Sequence, residues 1–199
     1  MYKLSYQDTS YKSQKALDLA TKGHQFQKRK LSELPYIVHP ISVVEQLKKW
    51  GVEKDWAHTV AYLHDLLEDT SVSPDAIRKK FGPKILKSVQ QLSHLNKEKT
   101  KDEWIEDLAK NAGDYVVLIK LSDRINNTRD FITNGAFERA HEYWKKSQPF
   151  VLRIQSHFKL DRRIRQNVMK SIDELNQIFK TASNLSMAKI AGFVTQFKK

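Results

Sequence analysis

The residues best suited to catalysis lie in one short stretch, VAYLHDLLEDT, residues 60–70. Its apolar spacing predicts a helix, with four polar side chains toward the C-terminal end: His64, Asp65, Glu68 and Asp69. Carboxylates at that end of a helix are disfavoured by about 0.3–1 kcal/mol each, because the unpaired backbone carbonyls there carry partial negative charge. The stretch therefore indicates that a cation lies nearby.

The spacing of these four residues predicts two layers. Residues four apart on a helix share a face, so His64 is expected to lie over Glu68. By the same spacing Asp65 lies over Asp69. The HD pair forms one layer, and the ED pair forms a second layer one turn, about 5.4 Å, further along. A metal ion bound by the first layer would place its water within reach of the second.

A metal ion needs more ligands than one HD pair supplies. The motif YIVHP offers His39, and KLSDRINN offers Asp123 on a helix face that is otherwise apolar. Each alone fits a plainer role, His39 as a helix cap and Asp123 as a surface charge. With the HD pair they give two imidazoles and two carboxylates, in a chain without cysteine. Such a ligand set suits Mn²⁺, Fe²⁺ or a similar ion better than Ca²⁺ or a structural zinc.

The rest of the chain predicts the helices that must position these groups. Apolar residues recur every three or four positions, and no alternating strand pattern is present. The eight predicted helices span residues 13–29, 40–50, 55–69, 74–94, 101–111, 114–130, 136–157 and 160–180. Pro40 suits a first helical turn and Gly51 a helix end. We predict a single all-α domain over residues 1–180, followed over residues 181–199 by a short linker and a basic C-terminal helix.

The charge distribution favours an anionic partner. The formal net charge is +12, and residues 145–199 hold 12 of the 35 Lys and Arg residues but 3 of the 23 acidic ones. A nucleotide, a nucleic acid or a membrane surface would suit such a chain. The basic terminal helix fits either a docking element for a membrane or partner, or a helix that packs its apolar stripe on the core.

Two further patterns bear on where the protein works. The longest apolar run, YVVLI at 115–119, is far too short to span a membrane. The N-terminal sequence MYKLSYQDTSYKSQ lacks the apolar core of a signal peptide. We therefore expect a cytoplasmic protein without a membrane span.

Four motifs in a fixed order resemble a known family. YIVHP, AYLHDLLEDT, FGPKI and VVLIKLSDRINNTRD fall within residues 13–157 and resemble the hydrolase domain of the RelA/SpoT alarmone enzymes, especially the small stand-alone hydrolases of the metazoan SpoT-homologue type. The resemblance implies an all-helical fold of the HD superfamily and a Mn²⁺ cofactor. It also implies an activity, the removal of pyrophosphate from the ribose 3′ position of ppGpp or pppGpp to leave GDP or GTP.

The resemblance also implies roles for single residues. It makes the metal ligands His39, His64, Asp65 and Asp123, in agreement with the ligand count above. It makes Glu68 and Asp69 the pair that positions or activates the attacking water. It places five side chains near the base or the phosphates of the substrate: Arg29, Lys30, Lys120, Asn127 and Arg129. Asn126 and Thr128 depart from the family pattern beside the expected nucleoside pocket.

Three alternatives remain open from the sequence. Because of those departures, the substrate could be an adenosine alarmone such as ppApp. Another HD-superfamily nucleotide phosphohydrolase would also retain the HD and ED pairs, although it would not need YIVHP and KLSDRINN in this form. A non-catalytic nucleic-acid binder would use the basic tail, with an affinity that falls steeply with salt. The intact metal ligands argue against nucleic acid as the partner.

Overall fold

The computed structural model describes residues 11–156, 159 and 161–183. These residues form eleven α-helices and no strand beyond one isolated bridge between Lys28 and Pro35. The helices are α1 (Tyr11–Gly23), α2 (Val38–Lys49), α3 (Asp55–Leu63), α4 (Leu66–Asp69), α5 (Pro74–Phe81), α6 (Pro83–Leu92), α7 (Lys101–Asn111), α8 (Asp114–Thr133), α9 (Phe137–Lys145), α10 (Gln148–Ser156) and α11 (Arg162–Ser183). The predicted all-α class is confirmed.

Helices α3 and α8 form the centre of the fold. Seven of the nine residues of α3 and 12 of the 20 residues of α8 are buried. Helices α1, α2, α6 and α8 pack around α3, and α2 and α9 pack against α8. A buried apolar side chain contributes about 1.5–3 kcal/mol relative to an exposed one, so these two helices are held firmly. Both carry residues of the candidate site.

The long helix predicted over residues 55–69 is wrong in one respect. It is interrupted at His64 and Asp65, so α3 ends at Leu63 and α4 is a separate turn. The His64 imidazole Nδ1 lies 2.7 Å from the Ala61 carbonyl, the acceptor that a continuous helix would offer to the Asp65 N–H. The backbones of His64 and Asp65 stay in the right-handed helical region, so the ED pair still follows the HD pair by about one turn.

Three other predicted helix boundaries also need correction. The first helix ends at Gly23 and not at residue 29. A Cβ at Gly23 would lie 2.6 Å from Leu66 Cδ2, because α1 and α4 approach closely there. The segment 74–94 divides at Gly82, and the segment 136–157 divides after Lys145. Apolar spacing continued across both breaks because the two helices on either side bury residues in the same core.

The C-terminal boundary differs slightly from the predicted one. Helix α11 continues to Ser183, so the first three residues of the predicted linker are helical. Its buried residues Ile164, Val168 and Ile172 belong to the same core as α3 and α8. The rest of the linker and the predicted basic terminal helix lie outside the described residues. Within the described ranges, none of the helices is long and apolar enough to cross a membrane.

The turn between α5 and α6 depends on a glycine. Gly82 has φ 90° and ψ 168°, a conformation that is essentially restricted to glycine, and no atom lies within 4 Å of the position a Cβ would take. We expect Gly82→Ser to lower the free energy of unfolding by about 1–3 kcal/mol through backbone strain alone. Urea unfolding followed by circular dichroism measures it.

Gly113 provides the matched control for this substitution. It also precedes a helix, has open space around its Cβ position, and has φ −67° and ψ 151°, which any residue can adopt. Gly113→Ser should leave stability unchanged or raise it, because serine is a favourable residue before a helix. Equal changes in the free energy of unfolding for the two substitutions would show that backbone strain at Gly82 is not the cause.

Candidate active site

Three helical segments bring the predicted metal ligands together. His39 lies in the first turn of α2, His64 and Asp65 lie at the junction of α3 and α4, and Asp123 lies in the middle of α8. The Nε2 atom of His64 is 3.0 Å from Asp65 Oδ2, and that of His39 is 3.5 Å from the same oxygen. Asp123 Oδ1 lies 3.2 Å from His39 Nε2 and 4.0 Å from His64 Nε2.

These distances fit ligands of a common ion. Ligand atoms about 2.1 Å from one metal lie about 3 Å apart when adjacent and about 4.2 Å apart when opposite. The ligand atoms of His39, His64 and Asp65 all lie within 4.8 Å of one another. Asp123 is not one of these three, but its Oδ1 lies near both imidazoles, at 3.2 Å from His39 Nε2 and 4.0 Å from His64 Nε2.

The hydrogen bonds of the imidazoles also fit a metal. His64 Nδ1 lies 2.7 Å from the Ala61 carbonyl, and His39 Nδ1 lies 2.6 Å from Asn126 Oδ1. An oxygen acceptor requires a proton on Nδ1, so in the neutral imidazole the Nε2 lone pair is free to bind an ion. His64 Nε2 is buried and lies 3.0 Å from Asp65 Oδ2, but this contact lacks hydrogen-bond geometry, so the buried nitrogen needs another explanation. A divalent cation at this point provides one.

The electrostatics keep both carboxylates ionised. Burial alone would raise the pKa of Asp65, but the His64 and His39 imidazoles hold it well below its usual range. Burial opposes ionisation of Asp123 too, and the Lys120 ammonium, 2.8 Å from Asp123 Oδ2, holds its pKa well below the usual value. Burial lowers the pKa of His64, yet the two carboxylates outweigh it and raise that pKa to about 9. A cation is therefore favoured at the centre of the group.

The ED pair lies beside the ligands, in the same cavity as Asp65 and Asp123. Glu68 Oε2 accepts a hydrogen bond from the His94 backbone N–H at 3.1 Å, and its other oxygen lies 3.7 Å from Lys101 Nζ. The pKa of Asp69 is raised by burial and by the nearby charges of Asp65 and Glu68. Glu68 and Asp69 were predicted to lie at the C-terminal end of one long helix. They belong instead to the short helix α4.

Tyr36 is a site residue that the sequence reasoning missed. Its hydroxyl donates to Asp65 Oδ2 at 2.7 Å and lies 3.3 Å from Asp69 Oδ2, so it bridges a predicted metal ligand and the acidic pair. Burial and the neighbouring carboxylates raise the pKa of Tyr36 far above its ordinary value, which keeps the hydroxyl protonated. The His24 ring packs on the tyrosine ring at 4.5 Å between centroids. The sequence offered one indication of this role, because Tyr36 belongs to the YIVHP motif that contains His39.

The cavity above the predicted ligands is lined by more basic than acidic side chains. Its volume is about 550 Å³, enough for a nucleotide, and polar side chains dominate its wall. Seven cationic side chains line it: Lys28, Arg29, Lys30, Lys101, Lys120, Arg124 and Arg139. Five acidic side chains line it as well, including the metal ligands and the ED pair. A negatively charged molecule with several phosphates suits this cavity.

The predicted substrate-binding residues divide into two groups. Arg29 and Lys30 line the cavity, and the Arg29 guanidinium donates to Asn127 Oδ1 at 2.8 Å and to Asp130 Oδ2 at 2.9 Å. Lys120 and Asn127 line it too, but each contacts Asp123, Asn127 at 2.5 Å through its Nδ2. These two residues hold a metal ligand.

Arg129, predicted to lie near the substrate, is not among the residues that line the cavity. Its guanidinium donates to Gln46 Oε1 at 2.6 Å and to Glu174 Oε2 at 3.4 Å, so it links α8 to α2 and α11. It follows Asp123 by six positions, which turns it about 120° away from the ligand face of the helix. Asn126, expected to flank the nucleoside pocket, contacts the predicted metal ligand His39.

The helical fold and its His–Asp ligand set define an HD domain, and the chain belongs to the HD domain family, whose model matches residues 16–148. It is 33% identical over 171 residues to the guanosine-3′,5′-bis(diphosphate) 3′-pyrophosphohydrolase of Drosophila melanogaster, over 79% of this chain and 95% of the fly protein. The mouse protein of that name is 31% identical over 70% of this chain and 83% of its own length.

Two further comparisons define how far the likeness extends. A protein of Aquifex aeolicus with the same enzymatic name is 37% identical over 121 residues, which cover 58% of this chain but 17% of that longer protein. The chain therefore spans a small part of that relative. A solved structure, described as a metazoan ortholog of SpoT that hydrolyzes ppGpp, matches with a TM-score of 0.69 and 27% identity over 83% of this chain and 96% of that chain.

Proposed function

We propose that this protein is a manganese-dependent 3′-pyrophosphohydrolase that converts ppGpp and pppGpp to GDP and GTP with release of pyrophosphate. The observation that carries the proposal is the convergence of two imidazole Nε2 atoms and two carboxylates beside a basic cavity of nucleotide size. This chain matches the fly and mouse relatives over most of their length, and the enzymatic name of those relatives supports the reaction.

The ligand set His39, His64, Asp65 and Asp123 would hold the ion. Without sulfur, and with two carboxylates, this set suits Mn²⁺. When bound, the ion would supply Lewis-acid activation of water and of the 3′-phosphate. Lys120 and Asn127 keep Asp123 in place by contacting its two oxygens.

In the reaction, water adds to the phosphorus bound to the ribose O3′. Glu68 or Asp69 accepts the proton of that water, a role typically worth about 10²–10⁴ in rate. The bond between this phosphorus and O3′ breaks, the ribose oxygen takes up a proton, and pyrophosphate leaves. Burial and the charges of Asp65 and Glu68 raise the pKa of Asp69, which favours its holding a proton during the step.

The cationic wall would neutralise the phosphates. Lys101 lies beside Glu68, where it can contact the 3′-pyrophosphate, and Arg139 and Lys30 line other parts of the cavity. Charge-assisted hydrogen bonds from such groups are about twice as strong as neutral ones. They offset the negative charge that grows on the phosphate in the transition state.

A product assay tests the proposal. The purified protein is stripped of metal with a chelator, then incubated with ppGpp, pppGpp or ppApp, with and without Mn²⁺, and the products are separated by anion exchange. We expect GDP or GTP and pyrophosphate, and only with the ion. Faster turnover of ppApp would transfer the proposal to adenosine alarmones. Release of inorganic phosphate or removal of the 5′ phosphates would contradict it and favour another HD phosphohydrolase.

We predict that Tyr36→Phe lowers kcat by about 10–100-fold, since a hydrogen bond to a charged group is worth about 1.5–3 kcal/mol. The change removes the hydroxyl that contacts both Asp65 and Asp69, and it keeps the packing of the aromatic ring. Steady-state kinetics at saturating Mn²⁺ measures the effect. Tyr11→Phe, at an exposed position, is the control. Equal turnover of the two variants would show that the hydroxyl does not serve the reaction.

A further inference from the structure

The two imidazoles of the candidate metal centre are supported in different ways. His64 is the residue after α3, and its Nδ1 faces the backbone carbonyl of Ala61, three residues earlier. A backbone carbonyl is present whatever residue occupies that position. His39 instead has its Nδ1 2.6 Å from a side-chain oxygen of Asn126, which is 87 residues away in the sequence.

The location of His39 explains why it needs a distant partner. It is the second residue of α2, so no helical turn precedes it. The carbonyls three and four residues earlier already accept backbone hydrogen bonds, that of Tyr36 from His39 N–H at 2.9 Å and that of Pro35 from Val38 N–H at 3.2 Å. An acceptor for the imidazole N–H must therefore come from another element. Helix α8 packs against α2 and supplies it.

Adjacent asparagines on α8 serve two different ligands. Asn127 Nδ2 donates to Asp123 Oδ1 at 2.5 Å, within the same helix. Asn126 points to the neighbouring helix and offers its oxygen to His39. A histidine ligand is fixed in tautomer and ring orientation by such an outer partner, whose loss typically costs about 10–100-fold in metal affinity.

We infer that Asn126 is a positioning residue of the metal centre. Its amide oxygen holds His39 in the tautomer with the proton on Nδ1 and directs the Nε2 lone pair to the ion. The inference rests on the proposed function, because it assumes that the site binds a divalent cation. It predicts that the acceptor oxygen at position 126, and not the size of the side chain, determines metal affinity.

Two substitutions in the full-length chain separate these properties. Asn126→Leu keeps a similar size and removes the acceptor, whereas Asn126→Asp keeps an acceptor oxygen. Asn111→Leu makes the same change at an exposed position at the end of α7 and serves as the control. The dissociation constant for Mn²⁺ is measured from the electron paramagnetic resonance signal of the free ion, and circular dichroism confirms folding.

We expect Asn126→Leu to weaken Mn²⁺ binding by about 10–100-fold. Asn126→Asp should bind within about threefold of the wild type or more tightly, because a carboxylate is at least as good an acceptor. At saturating Mn²⁺ the leucine variant should regain kcat to within about tenfold of the wild type, since the ligands themselves are intact. A variant that merely disturbs the fold would not be rescued by the ion.

Other outcomes are equally clear. A folded Asn126→Leu protein that binds Mn²⁺ within about threefold of the wild type would overturn the inference and leave the proposed function standing. Failure of Asn126→Asp to the same degree as Asn126→Leu would overturn it too. Should the leucine variant not fold, the affinity of Asn126→Asp against that of Asn126→Ala decides by the same criteria. A wild-type protein that does not bind Mn²⁺ would refute the proposed metal dependence itself.

Discussion

Asp65→Asn should abolish both retention of the divalent ion and hydrolysis of ppGpp while leaving the helices intact. Asp65 Oδ2 lies 3.0 Å from His64 Nε2 and 3.5 Å from His39 Nε2, so this oxygen contacts both imidazoles of the candidate site. An amide there loses the negative charge that the ion requires. We expect kcat/KM to fall by at least about 10³-fold, roughly 4 kcal/mol of barrier.

Metal analysis after gel filtration, turnover and circular dichroism together decide this prediction. Asp75→Asn is the control, because Asp75 is exposed on α5, outside the candidate site. A folded Asp65→Asn protein with full activity would rule out the assignment of the metal centre. A protein that keeps the ion but loses turnover would place Asp65 in the reaction and outside the ligand set.

Glu68→Gln should keep the ion and lose most of the turnover. Glu68 lies beside the ligands, and its carboxylate contacts the His94 N–H and Lys101, so the amide can occupy the same place. It cannot accept a proton from water, and we expect a loss of about 10²–10⁴ in kcat. Asp69→Asn is expected to share the defect if both carboxylates direct the same water.

The control for this second prediction is Glu106→Gln, an exposed residue of α7. Turnover is measured at Mn²⁺ concentrations that saturate both variants, and bound ion is determined in parallel. A Glu68→Gln protein that loses the ion but keeps normal activity for each ion bound would make Glu68 a ligand. The division into a ligand layer and a water-directing layer would then be wrong.

The sequence predicted which residues meet at the candidate metal centre, because they lie in short motifs with helical spacing. His64 and Asp65 are adjacent, and Asp123 lies on a helix whose other inner residues are apolar. The all-α class followed from the same apolar periodicity. Helix breaks at His64 and Gly82 were not predictable from periodicity, since the flanking helices bury residues in one common core.

The contacts made by single side chains could not be predicted from spacing. Arg129 and Asn127 are two residues apart in one motif, yet Asn127 contacts the ligand Asp123 and Arg129 contacts Gln46 and Glu174. Which helix packs on each face of α8 decides this difference, and that is a property of the tertiary structure. The same reason applies to Tyr36 and Asn126, whose partners lie 29 and 87 residues away.

The most direct test of the central claim is hydrolysis of ppGpp in water enriched in ¹⁸O, with Mn²⁺-loaded protein and mass analysis of both products. The account predicts one ¹⁸O atom in the pyrophosphate, unlabelled GDP, and no products from metal-free protein. That pattern requires attack at the phosphorus bound to O3′ and breakage of the bond to the ribose oxygen. Label in the GDP, release of inorganic phosphate, or no turnover by the loaded protein would contradict the account.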